Sequence, residues 1–257
     1  MTRKLLGVLL TLVLLAGCCP GSAKADDAPV PPPPPAVTVL TLNVHGGGDR
    51  HGGGNKGAVK PVSKDVLALV AKYQPTVVGL QELCGKQHRD LRTKLGKKGY
   101  AAAFVNVKKD PSCNDRSKGN QAGIAIYVKG KIKTRYVWSL PWGKNPVGTT
   151  GRQPRRLLCV LPVGAKWRAC VTHLSPHAPD VLNQATKVQE VLNRWAGPVI
   201  LTGDLNLSKK WVDRMFPEHS NAGEGIDHIV SSKTASVIAV VDAPSSDHDA
   251  VFGVGIS

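Results

Sequence analysis

Apolar residues recur along this chain in two rhythms. Short runs of Val, Ile, Leu and Ala, bounded by Gly, Pro or polar clusters, predict strands at residues 37–44, 75–80, 100–107, 122–128, 132–138 and 198–201. Later runs predict strands at 226–230, 236–241 and 250–254. Residues 156–161 and 167–173 read as an antiparallel hairpin around Val163-Gly164-Ala165. Between these runs the period changes to that of a helix. Val62, Val66, Leu69 and Val70 predict a helix over 62–73. A basic helix follows at 86–97, and Val181, Leu182, Ala185, Val188, Val191 and Leu192 line one face of a helix over 179–195. Residues 45–57 are Gly-rich and poor in apolar positions, so they predict a loop; no Gly-Lys-Ser/Thr phosphate loop occurs in it.

The polar residues that interrupt this pattern cluster where the apolar runs stop. Asn43 and His45 end the first run, Gln81-Glu82 the second, and His173 a third. Asp204 and Asn206 follow Leu201-Thr202-Gly203; being two apart, they point the same way in an extended chain. Asp227-His228 and Ser246-Asp247-His248 come last. His228 alternates with Asp227 and reads as a structural residue on the opposite strand face. Carboxylates, imidazoles and amides gathered at strand ends are the groups that hold a hard cation and move protons.

Composition adds a charge and a compartment. Lys and Arg number 34 against 18 Asp and Glu, a net charge of +16. Such a surplus suits polyanionic partners, nucleic acid or an anionic lipid surface. Arg3 and Lys4 precede the apolar run Leu5 to Leu15, so residues 1–25 read as an export signal rather than a domain. Without it, 31 basic residues face 18 acidic ones, a net +13. Leu15-Ala16-Gly17-Cys18 resembles a lipobox that would leave Cys18 as a lipid anchor at a bacterial cell surface. Ala23-Lys24-Ala25 resembles an ordinary cleavage site releasing a secreted chain. Residues 26–36 form a Pro-rich linker, and 37–257 are long enough for one domain. Four cysteines remain after the leader, and an even number in an exported chain predicts disulfides. The hairpin register lets Cys159 face Cys170, which leaves Cys84 to pair with Cys113. No closely spaced cysteine pair supports a zinc site.

The order Asn43, Glu82, His173, Asp204-x-Asn206, Asp227, Asp247-His248 resembles the endonuclease/exonuclease/phosphatase family, the deoxyribonuclease-I-like proteins, over residues 37–257. The resemblance implies an α/β fold: a four-layer α/β/β/α sandwich of two mixed, mostly antiparallel sheets flanked by helices. It implies a Mg2+-dependent hydrolase of phosphoric esters, with Mn2+ a possible substitute, acting as a monomer. Glu82, Asn43 and Asp247 would then hold the metal. His248, oriented by Asp227, would be the general base. Asp204 would orient the attacking water, Asn206 would donate to a phosphate oxygen, and His173 would stabilise developing charge or act as acid. Arg152, in Arg152-Gln153-Pro154-Arg155-Arg156, and Asn120 match family positions that meet the phosphate.

The sequence departs from the family in two places. His45 stands where some relatives carry an acidic residue. No Glu precedes the strand at 122–128 to support His173 as deoxyribonucleases do. Three readings of function follow: an exported nuclease acting on DNA or RNA, a phosphoesterase acting on sphingomyelin or phosphoinositides, or a non-enzymatic binding module. A lipid enzyme would want an exposed apolar hairpin, and Trp138-Ser139-Leu140-Pro141-Trp142 is the segment that offers one.

Overall fold

The alternation of strand-like and helix-like runs builds two six-stranded sheets packed face to face between helices. The structure is a computed structural model, and it describes residues 36–47, 57–144 and 152–255. Residues 1–25, expected to be an export signal, most of the Pro-rich linker and the centre of the Gly-rich loop lie outside the described residues.

The first sheet contains β1 (Val37–Asn43), β2 (Val77–Cys84), β3 (Tyr100–Lys109), β4 (Gln121–Lys129), β11 (Ala235–Val241) and β12 (Ala250–Gly255). Their order is β11-β12-β1-β2-β4-β3. The second sheet contains β5 (Ile132–Lys144), β6 (Arg152–Pro162), β7 (Arg168–His173), β8 (Val199–Asp204), β9 (Ser220–Glu224) and β10 (Asp227–Ser231), in the order β5-β6-β7-β8-β10-β9. Only β1–β2 and β7–β8 pair in parallel; every other pairing is antiparallel. Both parallel strands of each pair are covered on two sides, which is why they read as unbroken apolar runs.

Three apolar layers result. Val39, Val77, Ile126, Leu158, Val171, Ile200, Ile229 and Val251 fill the space between the sheets. Helices α1 (Val59–Tyr73) and α2 (Gly85–Gly96) cover the first sheet through Val62, Val66, Leu91 and Leu95. Helices α3 (Asp180–Leu192) and α4 (Lys209–Met215) cover the second through Val181, Val188, Leu192 and Val212. This is the four-layer α/β/β/α sandwich. None of the described helices is long and apolar enough to cross a membrane.

Several boundaries differ from the sequence expectation. β2 runs on to Cys84 through a register shift between Leu80 and Leu83, so Glu82 sits inside a bulge and not after a strand. β5 and β6 extend toward one another as far as Lys144 and Arg152. The sequence pattern missed α4 and β9. The first is too short for a period to show, and Ser-Asn-Ala-Gly-Glu offers no apolar alternation.

Two disulfides join Cys84 to Cys113 and Cys159 to Cys170. The second is made possible by the directly opposed pairing of Cys159 with Cys170 across β6 and β7. The first ties the end of β2 to the segment between β3 and β4. Each such bridge contributes about 2–4 kcal/mol by restricting the unfolded chain. Full reduction is therefore expected to lower the melting temperature by roughly 2–4 °C per kcal/mol lost. Thermal melts with and without reductant, alongside peptide mapping of the bridges, check this; an unchanged melt contradicts it.

Candidate active site

Sheet polarity explains how residues far apart in sequence reach one place. Asn43 and Glu82 lie toward the carboxyl ends of the parallel strands β1 and β2. His173 and Asp204 lie at the carboxyl ends of the parallel strands β7 and β8, paired with each other in the register. Asp227 opens β10, which runs antiparallel to β8, and pairs with Asp204. Asp247 and His248 precede β12, which runs antiparallel to β1. A strand that leaves at this edge and a strand that enters at it present their polar ends together. The result is a cavity of about 440 Å³ lined by His45, Glu82, His173, Asp204, Asn206, Asp247 and His248.

The backbone is shaped to aim these groups. Glu82 adopts φ 52° within the β2 bulge, and Asn206 adopts φ 50° just past β8. Non-glycine residues rarely hold such angles, and bulges next to active sites commonly re-aim a side chain. Gly203 permits the close approach of β8 to β7: a Cβ there would stand 2.1 Å from the Thr172 carbonyl oxygen.

Asn43 is the hub of the buried network. Its Nδ2 donates to Asp204 Oδ2 at 3.0 Å and lies 3.3 Å from Glu82 Oε1, while its Oδ1 accepts from the His45 backbone N–H at 2.9 Å. Asp204 Oδ2 also faces two imidazoles, with His173 Nε2 at 3.4 Å and His248 Nε2 at 3.8 Å. Asp204 Oδ1 accepts from the Asn206 backbone N–H at 3.0 Å. Asp227 Oδ2 holds His248 Nδ1 at 2.6 Å. His45 Nδ1 lies between two carboxylates, 3.3 Å from Asp247 and 3.9 Å from Glu82. His228 is buried behind the site, with ring nitrogens on Asn221 Oδ1 at 3.0 Å and the Leu207 carbonyl at 2.8 Å.

The electrostatics separate the titratable groups. Burial alone would raise Glu82, but His173, the Asn43 amide, His45 and Lys108 together hold its carboxyl below the usual value. Burial and the neighbouring Arg155 charge push His173 down to about 3, so its imidazole is neutral across the physiological range. Burial and the Asp227 carboxylate raise Asp204. Burial opposes a charge on His248, yet the Asp227 hydrogen bond and the carboxylates of Asp227, Asp204 and Asp247 raise it to about 9. A raised histidine contributes stability that is full below its unfolded value, near 6.5, and is lost as pH climbs through about 9. Asp227→Asn is expected to drop the His248 titration toward its ordinary value in the metal-free protein. Histidine proton shifts followed by NMR across pH 5–10 read this directly, and an unmoved titration would refute the pairing.

The structure redistributes some expected roles. The Asp227 hydrogen bond and the surrounding carboxylates, which raise His248 to about 9, favour its protonated, donating form in the metal-free protein. Asn206 lines the cavity, but one amide hydrogen is used on the Leu174 carbonyl at 3.0 Å, leaving a single further donor. Arg152 does not line the cavity. The pairing of Leu157 with Thr172 sets Arg155 and Arg156 beside His173 and carries Arg152 beyond it, where its guanidinium meets the Trp142 carbonyl. Arg155 and Arg156 both line the cavity, and Arg155 is buried, with its Nη1 3.4 Å from the His173 carbonyl. Asn120 is a turn residue: at φ 48° its Oδ1 caps the Asp115 N–H at 2.7 Å, outside the cavity. Sequence reasoning missed Arg155, and alternation alone would not have found it, because the Leu157–Thr172 pairing sets Arg156 opposite His173. It also missed the cavity wall formed by Val107, Ile124 and the Cys84–Cys113 bridge, which carries no chemical signature.

No group of three or more His, Cys, Asp or Glu side chains close enough to hold a metal occurs among the described residues. Mg2+ does not need one, because it keeps several waters and takes one or two carboxylates. Glu82, whose carboxyl is held below its usual value and lines the cavity, and Asp247 across His45 are the carboxylates that would form such a donor set.

Comparison with known proteins places this geometry. The sequence profile described as the endonuclease/exonuclease/phosphatase family matches residues 40–248. No curated protein sequence matches the chain. Among solved structures, the human Nocturnin catalytic domain with bound sulfate is similar at TM-score 0.61 and 17% identity, over 86% of this chain and 93% of that one. The mannosyl-6-phosphatase of Bacteroides thetaiotaomicron is similar at TM-score 0.60 and 19% identity, over 84% and 98% of the two chains. D. rerio TDP2 complexed with a single-strand DNA product is similar at TM-score 0.57 and 15% identity, over 85% and 98%.

Proposed function

Because this chain belongs to the endonuclease/exonuclease/phosphatase family, whose members are phosphoester hydrolases, we propose that its cavity hydrolyses phosphodiester bonds of nucleic acid with the help of a divalent metal ion. The observation that carries the reading is the buried Asp204 carboxylate, shared between two imidazoles and an amide in the wall of the cavity. Glu82 and Asp247, with Asn43 behind them, would hold Mg2+ or Mn2+. Bound there, the ion would neutralise phosphoryl oxygens that hydroxide otherwise cannot approach.

The chain's own groups do the rest. Asp204, raised by burial and by Asp227, is matched to take the proton of an attacking water. His248, held by Asp227, offers its Nε2–H to a phosphoryl oxygen. The neutral His173 donates a hydrogen bond as charge develops, since at about 3 it has no proton to give as an acid. Arg155 supplies a fixed positive charge, and the second Asn206 hydrogen a further donor. The export signal and two disulfides are consistent with action outside the cell, either free or tethered through Cys18.

The lipid reading loses the aromatic pair it needs. Trp138 is packed with Tyr136 and Trp195, which leaves Trp142 as the exposed ring of that hairpin. Incubating the protein with Mg2+ and DNA, RNA, sphingomyelin or a phosphoinositide tests the choice. Cleavage of a nucleic acid is expected. Hydrolysis confined to a lipid overturns the substrate class, and inertness toward all four overturns the enzyme reading.

A further inference from the structure

Between Arg116 and Pro179 the chain carries twelve Lys and Arg residues and not one Asp or Glu. This stretch supplies β4 to β7, so the charge is laid out by the second sheet. On β5, Tyr136, Trp138 and Leu140 pack toward α3, which turns Arg135, Val137 and Ser139 to the other face. Their partners on β6 are Val160, Leu158 and Arg156, and Val160 and Leu158 belong to the layer between the sheets. Cross-strand partners share a face. Arg135, Val137 and Ser139 therefore lie on the inner face of the sandwich, yet they are exposed.

The reason is a mismatch of sheet edges. Among the described residues the first sheet stops at β3, which lies over β6 and reaches β5 only in part, and no strand beyond it covers the rest of β5. What remains is an open shelf, with Arg135 at one end, next to the β5 bulge that carries the exposed Lys133, and Ser139 with Arg156 at the other. Arg135 to Ser139 spans roughly 13 Å of strand. Arg156 bonds Ser139 and lines the catalytic cavity, so the shelf runs into it; Lys108 of β3 lines the same mouth. Neither Lys133 nor Arg135 has a carboxylate within ion-pairing distance among the described residues. Arg92 of α2 is near the far end, since it and Arg135 both act on the buried His88. The one apolar side chain on the shelf is Val137, 38% exposed, too little to enter a bilayer.

We propose that this uncovered inner face of β5 binds the phosphate backbone of a nucleic-acid strand and leads it into the cavity. The inference rests on the phosphodiesterase reading and sharpens it: the substrate is a polymer held beyond the scissile phosphate, not a small ester that the cavity alone would contain. Backbone contacts of this kind carry little sequence preference and depend steeply on salt.

The test uses the whole chain, with Lys133→Glu/Arg135→Glu and the milder Lys133→Gln/Arg135→Gln as variants. Anisotropy of a labelled 20-nucleotide single strand, measured in EDTA to block turnover, reads binding across a salt series. The Glu pair is expected to weaken binding at least about tenfold at low salt. Both pairs are expected to flatten the log–log salt slope by about 1.4, roughly 0.7 per lost phosphate contact on a single strand. Turnover of bis(p-nitrophenyl) phosphate, too small to reach the shelf, is expected to stay at the wild-type rate. An unchanged affinity and slope overturns the proposal, as does a loss seen only on phosphatidylserine vesicles and not on the oligonucleotide. If the wild type binds the strand through these residues but does not turn over the small diester, the shelf stands and the catalytic reading falls.

Discussion

Replacing His248 by Ala is expected to lower phosphodiester turnover by about 10²–10⁴-fold while leaving the secondary structure unchanged. The side chain is held by Asp227 at 2.6 Å and faces Asp204 at 3.8 Å, so its loss removes a donor from the cavity and leaves two carboxylates without their shared cation. The pH profile tells its role apart from that of a base. As a donor, His248 must be protonated, so the rate falls as pH rises through its titration. Asp204 must be ionised, so the rate also falls toward acid. The two limbs give a bell. A rate that keeps climbing through alkaline pH would instead make His248 the base, as the sequence alone suggested. Activity of His248→Ala within a few-fold of wild type would remove it from the site.

The second large effect is expected at Glu82. Glu82→Gln keeps the side-chain shape and the reach to Asn43 but removes a charge from the proposed metal donors. Mg2+ binding, measured by titration calorimetry without substrate, is expected to weaken by at least about 10–100-fold, the loss typical when even an outer partner of a metal ligand is removed. Turnover should fall with it and recover in part at high Mg2+. Unaltered binding would place the ion elsewhere or nowhere.

Most of the fold was legible because both sheets have a buried parallel pair, and such strands show as apolar runs that end at the active edge. The strand-end polar residues were legible for the same reason: Asn43, Glu82, His173, Asp204, Asp227 and His248 each interrupt a run. What was hidden depends on register and tertiary position. The bulge that turns Glu82 into the cavity adds residues without any residue type that announces it. Choosing Arg155 over Arg152 required knowing that Leu157 pairs with Thr172. Asn120 looked like a site residue because a polar residue beside Gly in a loop has the same composition whether it meets substrate or closes a turn. The roles of Asp204 and His248 depend on an amide from β1 and charges from β8, β10 and the segment before β12 brought together, and no local window of sequence contains them.

The central claim is that this cavity is a divalent-metal-dependent phosphodiesterase, and hydrolysis of bis(p-nitrophenyl) phosphate by the purified protein in EDTA, then after adding excess Mg2+ or Mn2+, tests it most directly. The account predicts silence in chelator, restored turnover with either ion, and no restoration for His248→Ala. Undiminished turnover in chelator, or no turnover under any of these conditions, would contradict it.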